Sequence, residues 1–125
     1  MHRPVMDWAA AGRRDDPHSV EGRVWEGLRR LVAARRATRA AHAQGAAEPL
    51  WTGNAHVFGL LRSQAGERLL LLANFTPERQ SVGLAALSER GVALTEDAAQ
   101  PDGRPLVLGE DTLVLEPYQY LWLRG

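Results

Sequence analysis

The sequence ERLLLLANFT, residues 67–76, decides the fold of this chain. Four leucines in succession leave it without a polar face, and Ala73 and Phe75 continue the apolar run. Because successive strand residues point to opposite faces, such a strand must be covered on both sides. Its short length, between Gly66 and Pro77, favours a strand over a helix. We therefore expect residues 67–75 to form the central strand of an antiparallel β-domain.

Alternating apolar and polar residues after Gly45 predict further strands on either side of this segment. Together with the central strand they cover residues 49–52, 56–62, 67–75, 80–84, 92–96, 105–108, 112–116 and 118–124, with one helical turn possible over 85–90. Gly, Pro, Asn and Asp cluster between them, as is typical of turns. Short strands at this spacing predict a sandwich of two antiparallel sheets.

The first third of the chain has a different period. Residues 1–18 have the composition of a loop, and from about residue 19 to 42 apolar side chains recur at helical spacing, until Gly45 supplies a stop. A long helix with a broad apolar face does not belong to a sandwich core. We therefore predict a mainly β fold, an antiparallel β-sandwich preceded by one long α-helix. One face of the central strand would pack on the partner sheet and the other on the helix, near Val24, Leu28 and Leu31.

Composition excludes several classes of function. The 125 residues are 45% hydrophobic and 24% charged, which is usual for a folded globular domain. No apolar run approaches the roughly 18 to 20 residues that span a bilayer, and the N-terminus lacks the apolar core of a signal peptide. The absence of cysteine removes disulfides, thiol nucleophiles and thiolate metal sites. We expect a cytoplasmic protein without a cofactor and without a membrane partner.

Charge divides the chain into the same two parts. Residues 1–47 hold nine Arg and five acidic residues, whereas residues 48–125 hold six Arg and ten acidic residues. The arginines lie beside acids in an Ala-rich helix rather than in a basic stripe with interleaved aromatics, so nucleic-acid binding is not expected.

Five segments of the sequence resemble the C-terminal end of amylosucrases, which belong to the α-amylase superfamily of glycoside hydrolases and transglycosidases. They are HRPVMDW (2–8), DPHSVEGRVWEGLRRLVAARR (16–36), NAHVFGLLR (54–62), LLLLANFT (69–76) and LVLEPYQYLWL (113–123). The last two are common to many C-terminal domains of the superfamily. The HRP and DPHS segments are typical of fewer members of the superfamily and indicate its sucrose-active branch.

The resemblance implies a division of the chain at about residue 47. Residues 1–47 would be the loop and last helix of a (β/α)8 barrel, and residues 48–125 would be the antiparallel sandwich called domain C. His2 and Arg3 would lie at the rim of the substrate pocket in the whole enzyme, whereas the catalytic carboxylates belong to earlier barrel strands. The resemblance thus implies a structural domain, inactive alone, whose partner is the missing barrel of a glucosyltransferase moving glucose from sucrose to α-glucan.

The residues themselves also give no catalytic site. A retaining glycosidase needs two carboxyl groups roughly 5 Å apart, and the densest acids, Asp7, Asp15 and Asp16, lie in a polar loop. The histidines lack the spacing of a metal site. Trp51 is the best candidate for stacking on a sugar, although packing against the helix is equally consistent, and Tyr118, Tyr120 and Trp122 read as a half-buried edge of the core.

Two alternatives remain open at this point. The chain could be a stand-alone α-glucan-binding module, or an interaction protein that docks a separately encoded barrel. In the second case the exposed apolar face of helix 19–43 would make the isolated chain self-associate.

Overall fold

The computed structural model describes residues 4–89, 97–99 and 106–125, so His2, Arg3 and the predicted strand 92–96 lie outside the described residues. The helices are α1 (Trp8–Gly12), α2 (Val20–Ala37) and α3 (Leu84–Ser88), with single 3-10 turns at Arg13–Asp15 and Arg39–Ala41. The strands are β1 (Ala46–Leu50), β2 (Val57–Gln64), β3 (Glu67–Asn74), β4 (Gln80–Gly83), β5 (Val107–Leu108), β6 (Thr112–Leu115) and β7 (Tyr120–Arg124). The chain divides into two compact units, Met1–Ala33 and Ala34–Gly125, which we describe separately.

In the first unit, polar side chains fix the starts of both helices. Asp7 caps α1, because its carboxylate accepts a hydrogen bond from the backbone N–H of Ala10 at 2.9 Å. Ser19 does the same for α2, accepting from the N–H of Gly22 at 2.9 Å. A Cβ at Gly22 would lie 1.8 Å from the carbonyl oxygen of Asp16, so only glycine fits this first turn.

The apolar side chains of α2 are largely exposed to solvent. Five are exposed, namely Val20 (63%), Val24 (56%), Trp25 (42%), Leu28 (54%) and Val32 (50%), whereas Leu31 is half-buried. Arg14 lies over the Trp25 ring, 5.6 Å from its centroid, and Arg13 pairs with Glu21, which lowers the pKa of that carboxyl through a hydrogen bond. The predicted packing of Val24, Leu28 and Leu31 on the central strand stays a prediction.

Helix α2 ends at Ala37, five residues before the predicted end. Thr38 leaves the helical conformation (φ −112°, ψ 105°) and is fully buried, and its hydroxyl accepts a hydrogen bond from Arg124 at 3.1 Å. The carboxylate of Glu67 accepts the backbone N–H of Arg39 at 2.9 Å. Arg62 of β2 donates to the carbonyl of Ala40 at 2.9 Å. Side chains of the strands therefore hold the segment that connects α2 to β1 in place.

The second unit is a sandwich of two antiparallel sheets, as the sequence predicted. The four-stranded sheet has the order β1-β2-β3-β7 and the three-stranded sheet the order β4-β6-β5. The core between them is mostly leucine and valine: Leu50, Val57, Leu70, Leu72, Val82, Leu87, Leu113, Leu115, Leu121 and Leu123. The predicted boundaries of these strands differ from the observed ones by at most three residues.

Strand β3 is the central strand, as predicted from ERLLLLANFT. It pairs with β2 on one side and β7 on the other. Leu70 and Leu72 enter the sandwich core, whereas Leu69, fully buried, packs on the opposite side against Ala40 and Ala41. On the described residues, the turn after α2 therefore covers one end of this second face.

Two features complete the four-stranded sheet. Strand β1, at one edge, contains Pro49, which has no backbone N–H to offer. At the other edge, Asp97 forms a β-bridge with Leu123 of β7, and the N–H of Ala98 donates to the carbonyl of Trp122 at 2.8 Å.

Candidate functional site

The candidate site is the side of the four-stranded sheet that points away from the sandwich core, which we call the outer face. Strand alternation places six side chains there: Phe58, Leu60, Leu71, Ala73, Tyr120 and Trp122. The register aligns them in two rows, Phe58–Ala73–Tyr120 and Leu60–Leu71–Trp122. The outer face is therefore an apolar surface two rows deep.

An open groove of about 680 Å³ lies at the β1–β2 end of the outer face. Three aromatic side chains line it and are strongly exposed: Trp51 (71%), Phe58 (49%) and Phe75 (71%). The rings of Phe58 and Phe75 meet edge to face, with their centroids 6.5 Å apart and their planes at 64°. We call this the aromatic groove.

The turn between β1 and β2 supplies part of the lining of the aromatic groove. Gly53 adopts φ 79°, a conformation that favours glycine. Asn54 fixes the turn, because its side-chain oxygen accepts from the N–H of His56 at 2.9 Å and its amide donates to Gln80 and to the carbonyl of Ser81. The amide of Asn54 thereby joins the turn to strand β4 of the other sheet.

The neighbouring β1–β2 pair leaves no room for a side chain at Gly59. A Cβ there would lie 2.7 Å from the carbonyl oxygen of Leu50 and 2.8 Å from a methyl of Thr52. Gly59 therefore permits the close approach of Leu50 and Thr52 to β2, next to the groove that Trp51 and Phe58 line.

Asn74 fixes the opposite wall of the groove from inside the protein. Its side chain is 2% exposed and donates to the carbonyls of Glu78 (2.7 Å) and Glu116 (2.9 Å). Its oxygen accepts from both the N–H and the hydroxyl of Thr76, at 2.9 and 2.8 Å. Phe75 lies between Asn74 and Thr76 in the chain, so this network determines where its ring emerges.

The titratable group with the clearest burial effect is Asp97, which is 7% exposed. Burial raises its pKa, and hydrogen bonds from the N–H groups of Trp122 (2.9 Å) and Ala99 (3.0 Å) oppose the rise. These contacts tie the segment 97–99 to β7. The role of Asp97 is thus structural.

The acids of the N-terminal loop also have structural partners. Asp7 caps α1, Asp16 accepts the N–H of His18 at 2.9 Å, and Asp15 lies 3.9 Å from Arg14. Within residues 4–89, 97–99 and 106–125, no cluster of His, Asp or Glu has the arrangement of a metal site. No helix among these residues has the length and apolarity to cross a bilayer.

Of the residues singled out from sequence, Trp51 lines the aromatic groove, and Tyr120 and Trp122 lie on the outer face. His2 and Arg3 lie outside the described residues. The tyrosines differ from the expected half-buried edge: Tyr118 is 65% exposed with φ 56°, just before β7, and Tyr120 is 36% exposed. Trp122 is half-buried, packed against the cluster of Leu69, Ala40 and Ala41. Sequence reasoning missed Phe58 and Phe75, although the alternation of β2 could have placed Phe58 opposite the core.

Comparison with solved structures gives the fold a family context. A trehalulose synthase MutB variant from crystals soaked with trehalulose is 29% identical to this chain with a TM-score of 0.66, and covers 93% of it. MutB from Pseudomonas mesoacidophila MX-45 is 28% identical with a TM-score of 0.65, and covers 91%. A further MutB variant, at the same identity, was solved in complex with its substrate sucrose. The chain spans about a fifth of the length of these relatives.

These matches confirm the fold and the superfamily level of the resemblance, but not amylosucrase in particular. A mainly β domain with an N-terminal helix matches the C-terminal domain of α-amylase-family enzymes. The neighbours named above are trehalulose synthases, so the likeness indicates the C-terminal domain of an α-amylase-family enzyme without singling out amylosucrase. Independently, the model of the D-apionate lactonase C-terminal immunoglobulin-like domain matches residues 54–123, which is more than half of the chain. The chain therefore belongs to the family of D-apionate lactonase C-terminal immunoglobulin-like domains.

Proposed function

We propose that this chain is the structural C-terminal part of an α-amylase-type enzyme that acts on sucrose. The observation that carries the proposal is the extent of the likeness to MutB. It covers 93% of the chain at 29% identity, and therefore at least about half of α2 as well as most of the sandwich. Catalysis would take place in the remaining four-fifths of such an enzyme.

The state of α2 supports this proposal. Five of its apolar side chains, from Val20 to Val32, are between 42% and 63% exposed. Exposed apolar rows of this kind mark a surface that another element covers. In the proposed enzyme, α2 is the last helix of the catalytic barrel, and the neighbouring barrel helices bury this row.

The more specific proposal, from the amylosucrase resemblance, is that the whole enzyme moves glucosyl units from sucrose onto an α-glucan. An enzyme carrying this domain would then release fructose and lengthen the glucan. Trehalulose or isomaltulose as the main product would instead indicate a sucrose isomerase. Product analysis after incubation with sucrose separates the two activities.

A domain replacement tests the structural role. The matching C-terminal fifth of MutB is replaced by the 125-residue chain, and MutB shortened by the same fifth is the control. We expect the chimera to be soluble and to convert sucrose, and the shortened enzyme to be inactive. A chimera no more active than the shortened enzyme contradicts the proposal. The 125-residue chain alone should release no glucose, fructose or glucan from sucrose or maltooligosaccharides.

A second candidate is the equivalent role in a lactonase, which the match to the D-apionate lactonase C-terminal domain favours. That match covers residues 54–123 and so concerns the sandwich without α2. The MutB match extends over α2, and for this reason we favour the sucrose-acting enzyme. Hydrolysis of an aldonolactone, but not conversion of sucrose, by an enzyme carrying this domain would reverse the preference.

A further inference from the structure

We propose that residues 38–44, which we call the strap, are a two-state segment. In the folded domain they leave helix α2 and lie across one end of the outer face, and once their ties to the sheet are lost they continue α2 as a helix. The sandwich thereby sets the length of the helix that precedes it. The inference is independent of which enzyme carries the domain, because the strap and its partners all lie within Ala34–Gly125.

The sequence of the strap, TRAAHAQ, favours a helix over the structure that it adopts. Ala, Arg and Gln are strong helix formers, and five of the seven residues are of these types. Gly45, directly after the strap, is the residue that would stop a continued helix. Local preference and observed structure therefore disagree over these residues, which is the property expected of a segment with two accessible conformations.

Two residues of the strap take the chain out of the helix. Thr38 (φ −112°, ψ 105°) and His42 (φ −72°, ψ 155°) are extended, whereas Arg39–Ala41 between them form a 3-10 turn. A 3-10 turn differs from an α-helix by small changes in φ and ψ. Rotation mainly about ψ at Thr38 and His42 therefore separates the observed conformation from a helix that continues through residue 42.

Two arginines of the sheet hold the strap out of the helix. Arg62 donates to the carbonyl of Ala40 at 2.9 Å. In a continued α-helix that carbonyl would accept the N–H of Gln44, so the guanidinium takes the place of a helical hydrogen bond. Arg124 donates to the hydroxyl of the fully buried Thr38 at 3.1 Å.

The remaining contacts that oppose a helix also come from the folded sheet. The carboxylate of Glu67 accepts the N–H of Arg39 at 2.9 Å, and a continued helix would instead bond this N–H to the carbonyl of Arg35. Leu69 packs against the two buried alanines of the strap. The hydrogen-bonding partners lie 22 to 86 residues further along the chain, so they are in place only while the sheet is folded. Without them the local preference for a helix is unopposed.

The first experiment measures the Cα chemical shifts of residues 38–42 by NMR in the whole 125-residue chain. The test variant is Arg62→Gln with Arg124→Gln, and the matched control is Arg79→Gln, which removes a surface arginine paired with Glu116. We expect extended shifts at positions 38 and 42 in the unchanged chain and in the control, and helical shifts at all five positions in the test variant. Extended shifts in a folded test variant, or random-coil shifts while the sandwich resonances stay dispersed, overturn the proposal.

A milder variant keeps the proposal testable if the double variant does not fold. Thr38→Ala removes only the acceptor of Arg124 and places the strongest helix former at the first residue of the strap. We expect the Cα shifts of residues 38–41 to move towards helical values. Adding Ala41→Gly should then lower the helical population about fivefold, because glycine disfavours a helix. Unchanged shifts in Thr38→Ala, or a shift that Ala41→Gly does not reverse, overturn the proposal.

Discussion

Replacing Asn74 by alanine should destabilise the sandwich more than any other single loss of a polar side chain described above. The amide of Asn74 satisfies the carbonyls of Glu78 and Glu116, and its oxygen satisfies the N–H and the hydroxyl of Thr76. These partners lie in two different connections, the one between β3 and β4 and the one between β6 and β7. One side chain therefore holds two loops to the end of the central strand.

The expected cost follows from the number of bonds and their burial. A net contribution of about 1 kcal/mol per hydrogen bond, reduced because water can reach some of the freed groups, gives about 2 to 4 kcal/mol for Asn74→Ala. With a urea dependence of about 2 kcal/mol per M, the unfolding midpoint should fall by about 1 to 2 M. Ser88→Ala, which removes a single exposed hydrogen bond to Ala85, is the control and should leave the midpoint nearly unchanged.

A variant of the same size, Asn74→Asp, should make the stability depend on pH, which the smaller alanine cannot do. Asn74→Asp keeps the acceptor for Thr76 but turns an oxygen toward the carbonyls of Glu78 and Glu116. This repulsion raises the pKa of the new carboxyl in the folded state, so the stability of the variant should fall as the pH rises above the ordinary value of about 3.9. Urea unfolding at several pH values measures both effects. An alanine variant that loses less than about 0.3 M in midpoint, or an aspartate variant without pH dependence, would refute the reasoning.

Three further predictions concern the core and its edges. In the folded protein the pKa of Asp97 lies above its ordinary value of 3.8, so just above that pH the folded state binds more protons than the unfolded state, and the stability that Asp97 contributes falls as the pH rises. Asp97→Asn should remove this part of the pH dependence in urea unfolding. An unchanged pH dependence would contradict the argument. Gly59→Ala should force β1 away from β2 and lower the unfolding midpoint, whereas a crystal structure with both strands unmoved would disprove the steric argument. Leu70→Asp places an unpaired charge where the side chain is fully buried and should abolish the cooperative unfolding transition, at a cost of several kcal/mol, while Leu108→Asp on the exposed β5 should leave the transition in place.

The sequence sufficed for features that depend on local pattern. The four leucines of β3 predicted a central strand and the alternation of β2 and β7 predicted a sandwich, because burial imposes a period of two on strands. The predicted cover on the second face of β3 is present only at Leu69, whereas Leu71 and Ala73 are half-buried. Trp51, which follows Pro49 and Leu50, was predicted as the best candidate for an exposed ring, and it is 71% exposed.

Features that depend on distant parts of the chain could not be read in this way. Helix α2 ends at Ala37 because Thr38 is held by Arg124, 86 residues further on, and no local signal marks that pair. Phe75 follows a run that is apolar at every position, so alternation alone could not assign its side chain to a face. The contact that brings Phe58 and Phe75 together arises only from the β2–β3 register.

The bridge between Asp97 and β7 has a consequence for how copies of this domain can associate. Open edges of a sheet invite strand addition from another molecule, a route to aggregates. Here the segment 97–99 pairs with β7 at one edge, and Pro49 withholds a donor at the other. Strand addition from another copy at either edge of the four-stranded sheet therefore meets an obstacle: a paired segment at β7 and a missing donor in β1.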